Sequence, residues 1–286
     1  KEIEIVAIND IADIEMAAFL LNYDSVHGRL KNEVSFSKST IDAGFGPIHY
    51  LSHSDATMIN WKELGVELVL ECTGRFTDAD KAAVHLNSGA KKVLISAPSK
   101  GADITIVYGV NHNNILTEHK IVSNASCTTN CLAPVAQILN NLCGIKQGFM
   151  TTIHSYTGDQ RLLDANHTDK YRARAAGLNI IPSTTGAATA VGYVLPGLIG
   201  KLDGVAVRVP TANVSAIDFV FEPVNTASVE EIREGLKRAA LGSHNGVLAV
   251  TNEQLVSSDF NHHPASSIVQ LDQLRVMPTG MTRVFS

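Results

Sequence analysis

At 286 residues the chain is long enough for two domains of ordinary size and a substantial buried core. Hydrophobic residues at 45% and charged residues at 18% exclude a disordered or collagen-like chain. A net charge of -5 gives no basic surface for nucleic acid or an anionic membrane, and the short basic run Lys170-Tyr171-Arg172-Ala173-Arg174 reads as a solvated face.

Four cysteines, Cys72, Cys127, Cys131 and Cys143, are too few and too irregular for a disulfide framework. No second Cys/His pair stands at zinc spacing from Cys127 and Cys131, so no metal is expected. Apolar runs fall short of the ~18 residues of a membrane-spanning helix, and no signal peptide heads the chain. The expected compartment is a reducing cytosol.

Residues 3–8 (Ile-Glu-Ile-Val-Ala-Ile) read as a buried strand, with Asp10 at its carboxyl end. An acidic residue there commonly binds the ribose hydroxyls of NAD; a turn or N-cap role before a helix over 14–22 is the alternative. The phosphate-binding G-x-G-x-x-G turn lies about 20 residues before such an acid. Only nine residues precede Asp10. The chain therefore reads either as one that begins a strand and a helix late or as no dinucleotide binder.

Residues 31–54 show no periodicity, after which a β-α-β rhythm sets in. Strands are expected over 66–74, 92–98, 104–110 and 121–123, with a helix over 78–87. That alternation predicts a parallel, doubly wound sheet with right-handed crossovers. Beyond Cys127 strands follow one another with fewer helices: 147–157, an apparent consecutive pair at 204–210 and 215–221, then 246–250, 267–270 and 281–286. An amphipathic helix is expected over 229–240. These features predict a second, mainly antiparallel α+β domain, with domains over 1–126 and 127–286. The last four residues end inside the final expected strand.

Cys127 stands in Ser126-Cys127-Thr128, between an apolar strand and a helix-like run, where backbone N–H groups favour the thiolate. Pro134 leaves two possibilities, a helix kinked there or one that begins there, and the second weakens the dipole's action on Cys127. His154, at the end of the 147–157 strand, is the candidate base. It is one of 11 histidines, so a surface role is its alternative. Thr184-Thr185-Gly186 before a helix-like run reads as a phosphate nest. Arg208, alone among apolar residues, requires an anionic partner, either a structural carboxylate or a ligand phosphate.

The runs SNASCTTNCLAP (123–134), HSYTGDQRLLDANHTDKYRARAA (154–176), STTGAATAVG (183–192), GKLDGVAVRVPTANVS (200–215) and DFNHHPASS (259–267) closely resemble phosphorylating glyceraldehyde-3-phosphate dehydrogenases. AINDI (7–11), NYDSVHGRL (22–30), ECTGRFT (71–77) and ISAPSK (95–100) extend the resemblance through the first domain. It implies a Rossmann-type NAD domain without its first β-α unit, an α+β catalytic domain, and a homotetramer in glycolysis or gluconeogenesis. Cys127 would attack glyceraldehyde 3-phosphate, His154 would act as base, and inorganic phosphate would cleave the thioester to 1,3-bisphosphoglycerate. Ser126, Thr128, Thr185 and Gly186 would line the inorganic-phosphate site, and Thr157 and Arg208, helped by Arg174, would hold the substrate phosphate. Asp10, Thr73, Gly74 and Ser96 would meet the cofactor, and 157–186 would reach a neighbouring subunit.

Departures from the family pattern are Gly158, Ala165-Asn166 and Ser54-Asp55-Ala56, the last where an arginine near the adenine is common. They weaken the expected grip on the adenosine side. The family pattern also continues past residue 286. Rival expectations are erythrose-4-phosphate dehydrogenase, which shares the Cys/His pair, and a redox-sensing or binding protein on the same fold.

Overall fold

A computed structural model describes residues 3–286. The chain divides into two compact units, one formed by the described residues up to Ile104 with Leu116–Ser123, the other by Thr105–Ile115 with Asn124–Ser286.

In the first unit the strand Ala7–Asn9 pairs in parallel with Ile48–Leu51, Ala7 facing His49 and Asn9 facing Leu51. It is shorter than expected, and Ile3 and Ile5 lie exposed before it. Helix α1 (Ile14–Asn22) starts at Asp13, whose carboxylate accepts from Met16 N at 2.8 Å. The stretch without periodicity holds Ser35–Phe36 and Thr40–Asp42, which join Ile48–Leu51 in an antiparallel meander. Strands this short do not show an alternation in sequence.

A second sheet in this unit has the order Leu68–Glu71, Lys92–Ile95, Ile121–Ser123 and Ile104–Thr105, its first three strands parallel. Helix α2 (Ala79–Asn87) makes the crossover between the first two, capped by Asp78. Ala82, Val93, Ile95 and Trp61 form the core. Alternation along Leu68–Glu71 buries Val69 and, unusually, the acid Glu71. The strand expected over 104–110 stops at Thr105. Beyond it the Asn111 side chain accepts from Val107 N (2.8 Å) and donates to Thr105 O (2.9 Å), closing a turn. Residues 105–115 therefore go with the second unit, where Val107 is part of the core.

The second unit is built on a six-stranded sheet, ordered Ile181–Thr184, Leu202–Val209, Ile145–Ser155, Ala216–Pro223, Thr282–Phe285 and Arg275–Val276. Every pairing in it is antiparallel except that of Ile145–Ser155 with Leu202–Val209. The two strands consecutive in sequence, Leu202–Val209 and Ala216–Pro223, are thus not paired; the long strand Ile145–Ser155 lies between them. Helices α3 (Cys127–Cys143) and α4 (Ala187–Val194) pack on this sheet, and α5 (Val229–Leu241) packs on α3 and on the strand Leu248–Thr251. Leu132, Val135, Leu139, Val191, Ile232 and Leu236 meet Met150, Phe219 and Phe221 in one core. Burying side chains of this size contributes roughly 1.5–3 kcal/mol each. Pro134 is buried inside α3, and the helix runs through it. The missing proline N–H costs one intrahelical bond, and the helix begins at Cys127 all the same.

Candidate active site

The backbone before Cys127 is set by Ala125, a buried non-glycine residue in the left-handed region at φ 55. Ser126 then caps α3, its Oγ accepting from Thr129 N at 3.0 Å. The Asn130 amide donates to the carbonyls of Asn124 (2.8 Å) and Ser126 (2.9 Å), tying the loop to the first helical turn. Cys127 is the first helical residue and is exposed.

His154 Nε2 lies 3.3 Å from Cys127 Sγ. The imidazole is buried, and its Nδ1 is 2.7 Å from the Ser155 carbonyl. That carbonyl can only accept; a proton on Nδ1 donated to it leaves Nε2 to take one from the thiol. The hydrogen bond from His154 lowers the Cys127 thiol below the usual range against the opposing effect of burial, and the imidazole charge and the N–H and hydroxyl of Thr128 add to the lowering. Burial pushes the thiols of Cys131 and Cys143 the other way. Of these three, only Cys127 is favoured as thiolate.

Parallel pairing sets His154 directly opposite Arg208. Arg208 Nη1 donates to the Ser155 carbonyl at 2.9 Å and to Thr157 Oγ1 at 3.2 Å, and it touches His154 Nδ1 at 3.0 Å. Arg208 Nε is buried without a protein partner among the described residues, a donor that fits an anionic ligand. Thr157 Oγ1 donates to Asp159, which pairs with Arg172. Arg172 also lies 3.4 Å from Ser183 Oγ.

Thr129 Oγ1 donates to the Ala187 carbonyl at 3.2 Å, which brings the starts of α3 and α4 together. Thr185 Oγ1 accepts from Ala187 N at 3.1 Å, and Gly186 caps α4 with open space where a Cβ would stand. Ser126, Thr128, Thr185 and Gly186 are therefore gathered at two adjoining helix N-termini, where an anion is favoured.

In the first unit Asp10, Thr73-Gly74 and Ser96 each follow the carboxyl end of a parallel strand, the position where open sheets bind dinucleotides. Asp10 is exposed, and its Oδ1 accepts from Ala12 N at 2.9 Å; the cap of α1 is Asp13 instead. Gly74 has φ 72 and open space around it, so backbone can approach a ligand closely there. Thr73 is exposed, and its N–H (2.8 Å) and hydroxyl (2.5 Å) both donate to Glu71 Oε1. These residues fit NAD, with Thr73 tying the loop back to Glu71.

Two family models match the chain. The glyceraldehyde 3-phosphate dehydrogenase C-terminal domain matches residues 126–286, and the NAD binding domain of the same family matches residues 1–79. The chain is 56% identical over 285 residues to a glyceraldehyde-3-phosphate dehydrogenase of Xanthobacter flavus, spanning 100% of this chain and 85% of that protein. It is 54% identical to one from Cereibacter sphaeroides with the same coverage, and 51% identical over 286 residues to one from Geobacillus stearothermophilus, again over 100% and 85%.

The chain belongs to the glyceraldehyde-3-phosphate dehydrogenase family. It is an NAD-dependent oxidoreductase with the expected pairing of a parallel-sheet NAD-binding domain and a mainly antiparallel catalytic domain. No helix among the described residues is long and apolar enough to cross a membrane.

Within this dehydrogenase the structure departs from expectation at one arginine. Arg174 is not brought to Thr157 and Arg208; its Nε pairs with Asp164 at 2.6 Å, and both side chains are largely exposed. Asp164 also accepts from Ala175 N at 3.0 Å, which fixes that carboxylate where it captures Arg174. Arg172, read in sequence only as part of a solvated basic run, reaches the cluster through Asp159 instead. The role of the Ser155 carbonyl was equally invisible, because a main-chain acceptor has no residue signature.

Proposed function

We propose that the protein oxidises D-glyceraldehyde 3-phosphate to 1,3-bisphosphoglycerate with NAD and inorganic phosphate, through covalent intermediates on Cys127. The observation that carries this reading is an exposed thiol at a helix N-terminus, 3.3 Å from an imidazole whose other nitrogen is tied to a carbonyl.

His154 Nε2 takes the Cys127 proton, and the thiolate attacks the aldehyde carbon. A C–S bond forms, and the carbonyl oxygen takes the proton back from His154, giving a thiohemiacetal. His154 Nε2 then removes the hydroxyl proton as the C–H bond breaks and the thioester carbonyl forms. NAD, when bound, supplies the hydride acceptor for that step. A phosphate oxygen next attacks the thioester carbonyl, the C–S bond breaks, and Cys127 leaves as thiolate. Holding phosphate and excluding water conserves the oxidation energy in the acyl phosphate.

Arg208 and Thr157, with Arg172 behind them through Asp159, hold the substrate phosphate. Ser126, Thr128, Thr185 and Gly186 at the two helix starts hold the attacking phosphate, and Asp10, Gly74 and Ser96 receive NAD. A cytoplasmic homotetramer goes with this reading. Its support is the exposure of Leu162, Leu163, Leu178 and Ile180, at 88%, 74%, 79% and 73%, in the 157–186 segment.

The test is steady-state oxidation of glyceraldehyde 3-phosphate and erythrose 4-phosphate, each with and without inorganic phosphate. Phosphate should accelerate turnover, and glyceraldehyde 3-phosphate should have the higher kcat/KM. No acceleration by phosphate ends the phosphorylating reading, and preference for the four-carbon sugar turns it to erythrose-4-phosphate dehydrogenase.

A further inference from the structure

The Ser155–Tyr156 peptide links both halves of the catalytic cluster. Its carbonyl accepts from His154 Nδ1 at 2.7 Å and from Arg208 Nη1 at 2.9 Å. A rotation of this one peptide plane would therefore misdirect the base and the phosphate-binding guanidinium together. What holds this plane and the one before it is the connection at 211–215.

The ladder between Ile145–Ser155 and Ala216–Pro223 ends with Ile153 opposite Ala216. Continued in register, it would set the backbone of Val214 against Ser155. The chain instead leaves the ladder at Val214, which has φ 64. A β-branched residue rarely adopts that angle, and such outliers gather where surrounding structure imposes them at functional sites. Its effect is to put a side chain where the ladder would have offered main chain. Ser215 Oγ accepts from Ser155 N at 3.2 Å and lies 3.3 Å from Ser155 Oγ. The same connection holds the plane that carries the Ser155 carbonyl, Tyr156 N donating to Thr211 O at 3.1 Å. It is itself anchored by Asn213, whose amide donates to Asn261 Oδ1 at 2.8 Å.

We propose that Ser215 is a positioning residue for His154 and Arg208: its hydroxyl fixes the His154–Ser155 peptide, immediately before the Ser155–Tyr156 peptide that carries the accepting carbonyl, and the left-handed turn at Val214 is what delivers that hydroxyl. The proposal rests on the reading of Cys127 and His154 as the reactive pair. Ser215 touches neither substrate nor thiol, so its removal changes the poise of Cys127 through His154 and leaves the residues that contact ligand in place.

The test follows iodoacetamide alkylation of Cys127 by mass spectrometry across about pH 5 to 9, which spans the ordinary thiol value near 8.5. Cys72 serves as internal reference. In the wild type Cys127 should react with a midpoint below that of Cys72. Ser215→Ala should move the Cys127 midpoint upward by roughly half a pH unit, about a three-fold loss of rate at neutral pH, and leave Cys72 unchanged. Ser215→Thr, which keeps the hydroxyl, should restore the wild-type midpoint. Hydrogen exchange gives an independent readout: Ser215→Ala should speed exchange of the Ser155 amide while residues 148–152 stay protected. An unshifted midpoint, or equal shifts in the Ala and Thr variants, overturns the proposal, as does unchanged exchange at Ser155. Should wild-type Cys127 titrate like Cys72, the reactive pair itself is refuted and the proposal falls with it.

Discussion

His85 and His154 are both buried histidines facing a group that can be anionic, yet the two sites are built for opposite ends. His85 has both ring nitrogens occupied by side chains: Trp61 Nε1 donates to Nδ1 at 3.1 Å, and Nε2 faces Glu71 Oε2 at 2.9 Å. The Trp61 donor makes Nδ1 an acceptor, so the proton sits on Nε2 and is given to the carboxylate. Glu71 spends its other oxygen on the N–H and hydroxyl of Thr73. Burial pushes the Glu71 carboxyl up, but the hydrogen bonds from His85 and Thr73 outweigh it and leave the group below the usual carboxylate range. Every polar group there has a protein partner, which makes a brace. At His154 Nδ1 faces a main-chain carbonyl and the Arg208 guanidinium, and Nε2 is left facing an exposed thiol. A histidine becomes a catalyst where one nitrogen is fixed and the other opens on a group with chemistry to do.

Substitutions separate the two sites, the largest effect first. Cys127→Ser should reduce phosphorylating oxidation by roughly 10⁴–10⁶-fold, the scale of losing a nucleophile that acts as a unit with its base. Its melting temperature should stay close to wild type. His154→Asn should cost about 10²–10⁴-fold in kcat/KM, the usual range for a general base. It should also return the midpoint of Cys127 alkylation to that of an ordinary thiol. The sign follows from the lowered thiol pKa: wild-type Cys127 is already thiolate at a pH where the variant's is still protonated.

Glu71→Leu should act on stability instead. Leaving His85 and Thr73 without their buried acceptor costs about 3–5 kcal/mol in urea unfolding. The midpoint of Cys127 alkylation in the folded variant should not move. A shifted midpoint with unchanged stability would reverse the assignment of brace and catalyst. The wild-type contribution of Glu71 is present above its unfolded pKa near 4.3 and is lost as pH falls through its lower folded value, so it should show in acid unfolding below about pH 4.

The smallest effects divide the arginines. Arg208→Leu should raise KM for glyceraldehyde 3-phosphate about 10–100-fold, the worth of hydrogen bonds to a charged group, and leave unphosphorylated glyceraldehyde nearly unaffected. Arg172→Ala should produce a milder increase through Asp159 and Thr157. Arg174→Ala, losing an exposed ion pair, should change KM by about two-fold or less. Equal effects at 172 and 174 would contradict the arrangement seen around Asp159.

Much of the architecture was legible because its elements are long or punctuated. Residues 229–241 carry a helical period behind the Ser228–Glu231 capping box, and Lys92–Ile95 is an apolar run ahead of Pro98. The meander at 35–51 was not legible, since strands of two to four residues are too short to show a period. Strand order was hidden for another reason: the Leu202–Val209 and Ala216–Pro223 strands are neighbours in sequence, and only packing shows that a third lies between them.

The site divides along the same line. Cys127, His154, Thr157 and Arg208 announce themselves by residue type and by resemblance to a family. Ser155 acts through its carbonyl and Ser215 through a turn made by a strained valine, neither of which has a signature in residue identity. Arg172 and Arg174 stand two apart in one basic run, and the positions of Asp159 and Asp164 decide which of them reaches the cluster.

The account stands most directly on whether the acyl group is carried by Cys127. Wild-type protein mixed with NAD and glyceraldehyde 3-phosphate in the absence of inorganic phosphate, then quenched in acid and mapped by mass spectrometry, should show a 3-phosphoglyceryl adduct on the Cys127 peptide. Adding phosphate before the quench should discharge it. An adduct on Cys72, Cys131 or Cys143, or oxidation of the aldehyde with no adduct on any cysteine, would contradict the mechanism.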